Sequence, residues 1–276
     1  MIDLHCHSTA SDGLRAPTEV VEVAKAAGLD AIALTDHDST AGLPEARAAG
    51  ARLGVQVIGG CEFSVAAPWG EMHLLGYFIE PGDAAIEAFL VEARAMRVSR
   101  GDAMLDRLHA VGIRIPREEL AREAAGGAVG RPHVARALLR FGHVTSIQAA
   151  FDRYIGRGRP GYVDKELPSL ERVASLVHSR GGVVSAAHLK YHGTREVLAG
   201  LKEQGLDAVE TRHPSHDGDR VATLTEAALS LDLGRSGGSD WHGEHDPIGT
   251  HAALGSQQVP TEWLHALEAR RPAVPG

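Results

Sequence analysis

The sequence predicts an α/β protein built on a single βα barrel that is interrupted by a helical insertion. Two observations predict this fold class. Short apolar runs alternate with amphipathic stretches in residues 1–81 and again from about residue 168, which is typical of βα units around a parallel sheet. Residues 84–153 instead show helical periodicity and almost no strand signal. We therefore expect a barrel domain formed by residues 1–81 and 166–276, and a helical insertion, or cap, over residues 82–165.

The first barrel segment combines short apolar strands with two helical patterns. One helix begins at Pro17 and ends before Gly28, in agreement with the preference for proline in the first turn and glycine after the last. A second helix is predicted over residues 42–53. The strands predicted in this segment are 2–4, 31–35, 55–58 and 71–79.

The same alternation returns after the insertion, without an internal repeat or a low-complexity tract. The predicted helices are 169–179, 194–203, 219–230 and 261–270, and the predicted strands are 182–186, 207–211 and 232–236.

The composition is that of a globular protein and excludes several functional classes. Of the 276 residues, 43% are hydrophobic and 23% are charged, which argues against wholesale disorder and against a coiled coil. The formal net charge of −8 argues against a duplex nucleic-acid partner, which would need a basic surface. Aromatic residues make up only 4%, which argues against a base-stacking platform.

The sequence also predicts a cytoplasmic protein with no membrane partner. The first residues lack a charged region followed by an apolar run, so no signal peptide is expected. No stretch approaches the roughly 18 apolar residues of a spanning helix. The two cysteines, Cys6 and Cys61, form no disulfide framework, and we interpret them as buried packing residues.

Histidines and carboxylates collect where the predicted strands end. His5 and His7 follow the first strand at a spacing of two, which places both side chains on one face. The carboxyl ends of the strands of a parallel βα barrel meet at one mouth, so residues far apart in sequence can meet there. The other candidates are Asp12, Asp36, His37, Asp38, Glu62, His73, His188, Glu210, His213, Asp240 and His242.

This mixture of side chains predicts a metal centre. Imidazole and carboxylate together suit Mn, Fe or Zn, and the number of candidates exceeds the needs of one ion. A carboxylate such as Glu62 can bridge two ions about 3.5–4 Å apart, the separation used in two-metal hydrolysis. A metal-bridging hydroxide would then be the nucleophile. The sequence contains no Gly-x-Ser-x-Gly elbow and no phosphate-binding Gly-Lys-Ser/Thr loop.

These motifs resemble the polymerase and histidinol phosphatase (PHP) family of metal-dependent phosphoesterases over almost the whole chain. The resemblance rests on Asp3-Leu4-His5-Cys6-His7-Ser8, Ser11-Asp12-Gly13, Thr35-Asp36-His37-Asp38, Gly60-Cys61-Glu62, His73, His188 and Ser239-Asp240-Trp241-His242. It implies a distorted (β/α)7 TIM-like barrel with two to three divalent ions. One ion would take His5, His7, Glu62 and Asp240; a second Glu62, His73 and His188; and a third Asp12, His37 and His242.

The insertion resembles one branch of this family, in which a helical cap covers the barrel mouth. The stretches Gly130-Arg131-Pro132-His133 and Gly156–Val163 carry the resemblance. That branch includes nucleoside 3′,5′-bisphosphate phosphatases and 5′-3′ exoribonucleases. Residues 131–160 also contain six arginines and one acidic residue, which would attract phosphate groups. Arg131 and Arg159 are our candidates for phosphate contacts, with a solvated helical face as the alternative.

Three further residues have predicted roles near the metal ligands. His213 is similar to a family residue and would either contact phosphate or protonate the leaving oxygen, with a purely structural role as the alternative. Asp36 and Asp38 are expected to orient ligand histidines. We assign catalytic roles to Asp240, Glu62 and His213.

The resulting hypothesis is a metal-dependent phosphoesterase acting on small phosphorylated metabolites, in particular nucleotides or short RNA 5′ ends. One alternative is a histidinol-phosphate phosphatase of the same family. Another, from a different class, is a non-catalytic metal-binding regulatory module.

Overall fold

The computed structural model describes residues 1–124, 129–244 and 252–273. Within these ranges seven strands form one sheet. The strands are β1 (Ile2–Cys6), β2 (Ala31–Leu34), β3 (Gln56–Ala67), β4 (Gly70–Tyr77), β5 (Val183–Ala186), β6 (Ala208–Arg212) and β7 (Gly234–Gly237).

Ten α-helices lie in the same ranges, together with a π-helical turn at Phe151–Ile155 and a 3-10 turn at Lys190–His192. The helices are α1 (Pro17–Ala26), α2 (Leu43–Leu53), α3 (Ala84–Ala110), α4 (Arg117–Ala124), α5 (Arg131–Arg140), α6 (Ile147–Ala150), α7 (Leu170–His178), α8 (Arg195–Glu203), α9 (Gly218–Ser230) and α10 (Thr261–Glu268).

Local side-chain chemistry explains where the helices of the second barrel segment begin. Ser169, Thr194 and Asp217 precede α7, α8 and α9, and each side chain accepts a hydrogen bond from a backbone N–H of the first turn. Such N-caps satisfy donors that otherwise lack partners. The helix boundaries therefore follow the sequence closely.

The sheet runs in chain order from β1 to β7, and most neighbouring strands are parallel. The expectation of an all-parallel sheet is wrong at β4. This strand pairs antiparallel with both β3 and β5. The predicted strand 55–58 continues to Ala67, and only Pro68 and Trp69 separate β3 from β4. This turn leaves no residues for the crossover helix that a parallel connection requires.

The sheet is nearly closed into a TIM-like barrel, as the sequence predicts. After β7 the chain returns to β1: the N–H of Asp240 donates to the carbonyl of His5 at 2.9 Å, and the N–H of His7 donates to the carbonyl of Trp241 at 2.9 Å. Gly238 permits this approach, since a Cβ there would lie 2.5 Å from the backbone nitrogen of His5. The last motif of the sequence is thus placed beside the first.

Hydrophobic residues are buried on both faces of the sheet. In β2, Ala31 and Ala33 belong to one core cluster, whereas Ile32 and Leu34 belong to another that includes residues of α1 and α2. Because successive side chains of a strand point to opposite faces, β2 is covered on both sides.

The chain divides into two compact units, one of Met1–Glu87 with Leu167–Gly276 and one of Ala88–Glu166. The first contains the barrel. The second is helical in its described part and has its own core, with Leu105, Leu108, Val134 and Leu138 fully buried. Among the described residues, no helix combines the length and apolar character needed to cross a membrane.

Candidate metal centre and active site

Glu62 lies at the centre of a buried group of histidines and carboxylates. Its Oε2 is 3.3 Å from Nε2 of His5 and 3.1 Å from Nε2 of His7. The Oδ1 atom of Asp240 is 3.1 and 3.2 Å from the same two nitrogens. One ligand atom from each of these four residues lies within 4.8 Å of the others. Two strand-end histidines and two carboxylates thus converge on one point.

The other oxygen of Glu62 faces a different pair of histidines. Its Oε1 is 2.8 Å from Nδ1 of His73 and 3.2 Å from Nε2 of His188. His73 reaches this position from the antiparallel strand β4, and His188 from the loop after β5. Glu62 therefore has the geometry of a bridging carboxylate, with a separate set of nitrogens at each oxygen.

A third group lies around Asp12. Its Oδ1 is 3.2 Å from Nε2 of His242, and its Oδ2 is 3.9 Å from Nε2 of His37. Ligand atoms of Asp12, His37, His242 and His7 lie within 4.8 Å of one another. His37 also approaches Glu62 Oε2 at 3.4 Å through Nδ1. The structure thus brings all nine residues of the predicted ligand set into one cluster.

Unsatisfied polar atoms in this cluster fit a cation. The Nε2 atom of His7 and the Nδ1 atoms of His37 and His73 are buried and make no hydrogen bond to the described part of the chain. Each faces a carboxylate oxygen within 3.4 Å. Buried polar atoms without partners are costly, and a shared metal ion would satisfy these nitrogens and the carboxylates together. The residues present therefore fit divalent ions.

The electrostatics agree with this interpretation. Burial disfavours the charged form of Glu62, but the surrounding histidines, including His37 and His73, hold its pKa well below the usual range. Burial likewise opposes the charge on His7, yet the carboxylates of Asp240 and Glu62 raise its pKa to about 10. Burial lowers the pKa of His37 to about 3, against the opposing effect of Glu62. The carboxylates of this cluster are thus ionised and would favour a positive charge beside them.

Strained backbone also occurs at this site. Asp38, His188 and Asp240 have φ angles of 44°, 32° and 52°, in a region that residues with side chains rarely occupy. Two of these three are predicted ligands. Strained positions of this kind persist where the surrounding structure fixes them, commonly at functional sites.

Glu210 is a member of the site for which the sequence predicts no specific role. It is fully buried, and its Oε1 lies 3.1 Å from Nδ1 of His5. Its Oε2 accepts the backbone N–H of His188 at 2.8 Å. The available signal was its position near the end of the predicted strand 207–211; in the structure it is the central residue of β6.

Asp36 does not contact a histidine ring in the way that we expected. Its Oδ2 accepts the Ser8 hydroxyl at 2.7 Å, and its Oδ1 accepts the Ser11 hydroxyl at 2.7 Å. The Ser11 oxygen lies 3.5 Å from Nδ1 of His7. Among the described residues, Asp36 is therefore linked by hydrogen bonds to a histidine through Ser11. The orienting role of Asp38 stays a prediction; its backbone N–H donates to the carbonyl of Glu62 at 3.1 Å.

His213 lies beside the cluster of predicted metal ligands. Its Nδ1 accepts the backbone N–H of Ser215 at 3.0 Å, so the neutral ring carries its proton on Nε2. That nitrogen lies 3.4 Å from Oδ2 of Asp240. Ligand atoms of His213, His5 and Glu210 lie within 4.8 Å of one another.

The two predicted phosphate-binding arginines lie in the helical unit. Arg131 is the first residue of α5, and its guanidinium carbon is 5.8 Å from the centroid of the Phe151 ring. Arg159 is exposed in the stretch after the π-helical turn. The phosphate-binding role of both residues stays a prediction.

The two cysteines pack in the interior, as the sequence predicts. Cys6 and Cys61 are both free and fully buried. The Cys6 thiol donates to the carbonyl of Ala33 at 3.2 Å, and Cys6 belongs to a hydrophobic cluster.

A nearly closed βα barrel with a buried centre of histidines and carboxylates defines a class of metal-dependent hydrolases. The PHP domain family matches residues 3–149. A 5′-3′ exoribonuclease of Haemophilus influenzae is 35% identical over 245 residues, covering 87% of this chain and 89% of that protein. The chain belongs to the PHP domain family.

Two further comparisons support the same placement. A 3′,5′-nucleoside bisphosphate phosphatase of Chromobacterium violaceum is 36% identical over 249 residues, covering 87% of each protein. A solved structure from Bifidobacterium adolescentis, named as a metal-dependent phosphoesterase, has a TM-score of 0.86 and 30% identity, covering 99% of this chain and 96% of that one. The chain is therefore an enzyme, a metal-dependent phosphoesterase, which sets aside the non-catalytic alternative.

Proposed function

We propose that this phosphoesterase hydrolyses phosphate esters of nucleotides, either 3′,5′-bisphosphates or the 5′ ends of short RNA. The observation that carries the proposal is the position of Glu62, whose two oxygens face two separate groups of histidines. This arrangement suits two-metal hydrolysis of phosphate esters. The similarity to a bisphosphate phosphatase and to an exoribonuclease, each along 87% of this chain, supports a nucleotide as the substrate.

Nine residues of the barrel would hold two to three divalent ions of Mn, Fe or Zn. His5, His7, Glu62 and Asp240 would form one position, with Glu62 shared by a second position at His73 and His188. A third position would consist of Asp12, His37 and His242. Bound ions of this kind supply an activated water and neutralise the negative charge of the phosphoryl group.

The protein's own groups orient the ligands and the substrate. Glu210 accepts from Nδ1 of His5, which directs the lone pair of Nε2 toward Glu62 and Asp240. The Nδ1–H of His242 donates to the Asp240 carbonyl at 2.8 Å, which leaves its Nε2 facing Asp12. Such contacts fix the tautomer of a ligand histidine.

His213 is our candidate for proton transfer to the leaving oxygen. The backbone N–H of Ser215 keeps the proton on Nε2, the nitrogen that faces the site at Asp240. Arg131 and Arg159 of the helical unit would bind the non-reacting phosphate of the substrate, since guanidinium groups pair well with phosphate oxygens.

A side-by-side assay tests this proposal. The purified chain is supplied with Mn²⁺, and phosphate or nucleotide release is measured from adenosine 3′,5′-bisphosphate, a 5′-phosphorylated short RNA and histidinol phosphate. We expect turnover of one or both nucleotide substrates, with kcat/KM at least ten-fold above that for histidinol phosphate. A preference for histidinol phosphate would instead support the alternative of a histidinol-phosphate phosphatase and overturn the nucleotide proposal.

A further inference from the structure

Two structural segments that carry proposed metal ligands also carry aromatic side chains that are exposed or only partly buried. Trp69 lies in the turn between β3 and β4, the strands of Glu62 and His73. Tyr191 and His192 lie in the 3-10 turn that follows His188. In a chain with only 4% aromatic residues, this position beside the site requires an explanation.

The rings are arranged as stacking surfaces. Trp69 and His192 lie parallel, with centroids 4.5 Å apart and an interplanar angle of 6°. Tyr191 is 77% exposed, and the guanidinium carbon of Arg220 lies 4.9 Å from the centroid of its ring. The Nε atom of Arg220 is buried and has no hydrogen-bond partner in the described part of the chain. A stacked ring pair and a cation–π pair are thus held by the neighbouring residues His192 and Tyr191.

The 3-10 turn that carries Tyr191 and His192 is hydrogen-bonded to His216, a neighbour of His213. The N–H of Lys190 donates to Nε2 of His216 at 3.2 Å, and the other nitrogen of that ring contacts the Thr211 carbonyl at 3.1 Å. The His216 ring is 5.6 Å from the ring of His213. Trp69 directly precedes β4 and lies four residues before His73, or about 13 Å along an extended chain. Both aromatic segments are therefore connected to elements that carry proposed ligands.

We propose that Trp69, Tyr191, His192 and Arg220 form a subsite that binds the nucleobase of the substrate. This inference rests on the proposed nucleotide substrate. Every nucleobase presents a flat π face that stacks on aromatic rings, and an arginine adds a cation for the same face or for a neighbouring phosphate. The low aromatic content argues against an extended stacking platform, but one base needs only two or three rings.

Two ligands that differ only in the base test this subsite. Isothermal titration calorimetry with the whole, metal-loaded chain compares adenosine 5′-monophosphate with ribose 5-phosphate. We expect the adenosine ligand to bind about ten-fold more tightly, as is usual for one stacked base. Tyr191→Ala and Trp69→Ala should each remove most of this preference, whereas Tyr191→Phe and Trp69→Phe should keep it.

A matched control removes an exposed apolar side chain elsewhere. Leu229 is 62% exposed on α9, the helix that carries Arg220, and nine residues further along. Leu229→Ala should leave both affinities unchanged. The emission of tryptophan offers a second readout, because Trp241 and Trp263 are buried whereas Trp69 is only partly buried. Adenosine 5′-monophosphate should quench this emission in the wild type and not in Trp69→Phe.

The possible results separate this subsite from the proposed function. Equal affinities for the two ligands, absence of binding by both, or an unchanged preference in the alanine variants would overturn the subsite. A base preference that depends on Tyr191 in a chain without nucleotide turnover would instead support the subsite and overturn the proposed reaction. Turnover of adenosine 3′,5′-bisphosphate without a base preference would support the proposed reaction and overturn the subsite.

Discussion

Glu210 Oε1 lies 3.1 Å from Nδ1 of His5, and both side chains are fully buried. The second oxygen of Glu210 accepts the backbone N–H of His188 at 2.8 Å. One carboxylate thus fixes a residue from each of two proposed metal positions. Because the Nδ1 proton of His5 is used in this contact, its Nε2 is available as a ligand.

Replacement of Glu210 should weaken metal binding without unfolding the chain. In Glu210→Gln the carboxylate that accepts from His5 becomes a neutral amide, and loss of such an outer contact typically lowers metal affinity by about 10–100-fold. Elemental analysis after dialysis and Mn²⁺ titration would measure this loss, with circular dichroism as the check on folding. Glu203→Gln on the exposed face of α8 is the matched control. Unchanged affinity in Glu210→Gln would contradict an orienting role.

Asp240→Asn should abolish turnover in a folded protein. Oδ1 of Asp240 lies 3.1 Å from Nε2 of His5 and 3.2 Å from Nε2 of His7, and the neutral amide would remove one negative charge from this position. We expect kcat to fall at least about 10³-fold, as for the loss of a group that stabilises the transition state. Asp219→Asn, on the exposed surface of α9, should retain full activity. Activity close to that of the wild type in Asp240→Asn would exclude Asp240 as a ligand.

Removal of metal ions should destabilise the barrel. Ligands that bind only the native state add stability by mass action, about 2.7 kcal/mol at a free concentration of 100 times Kd. A chelator should therefore lower the melting temperature, and added Mn²⁺ should restore it. The shift should largely disappear in Glu62→Gln, since Glu62 contacts both groups of histidines. Identical melting curves with and without Mn²⁺ would argue against a structural contribution of the ions.

The sequence predicts the strands well where local pattern decides them. At the end of β1 a spacing of two keeps the side chains of His5 and His7 on one face, as the strand pattern predicts. Asp240 and His242 instead follow β7 outside a strand, with Asp240 at a φ of 52°. The reversal at β4 was missed, since an apolar strand has the same pattern whether its neighbour is parallel or antiparallel.

Contacts between distant residues are the part that the sequence does not specify. Glu210 and His5 are 205 positions apart, and only the folded barrel brings them together. Similarly, nothing in the local sequence shows that Asp36 contacts Ser8 and Ser11 rather than an imidazole. The identity of the candidate ligands was therefore predictable, whereas the groups that hold them in position were not.

The two predicted phosphate-binding arginines should affect KM more than kcat. Removal of a charge-assisted contact to a phosphate that does not react weakens binding of substrate and transition state alike. We expect Arg131→Ala and Arg159→Ala each to raise the KM for adenosine 3′,5′-bisphosphate by about ten-fold. Arg157→Ala, also exposed in the helical unit, serves as the control. Equal effects of all three substitutions would favour a general charge effect over specific contacts.

The two thiols should be unreactive in the native protein even though they adjoin proposed ligands. Burial raises the pKa values of Cys6 and Cys61 well above the ordinary value, so neither is a thiolate at pH 8. A disulfide reagent should therefore modify neither cysteine of the folded chain and both after unfolding in guanidinium. The same result with and without a chelator would also show that the thiols do not bind metal. Rapid modification after chelation alone would instead place a thiol among the ligands.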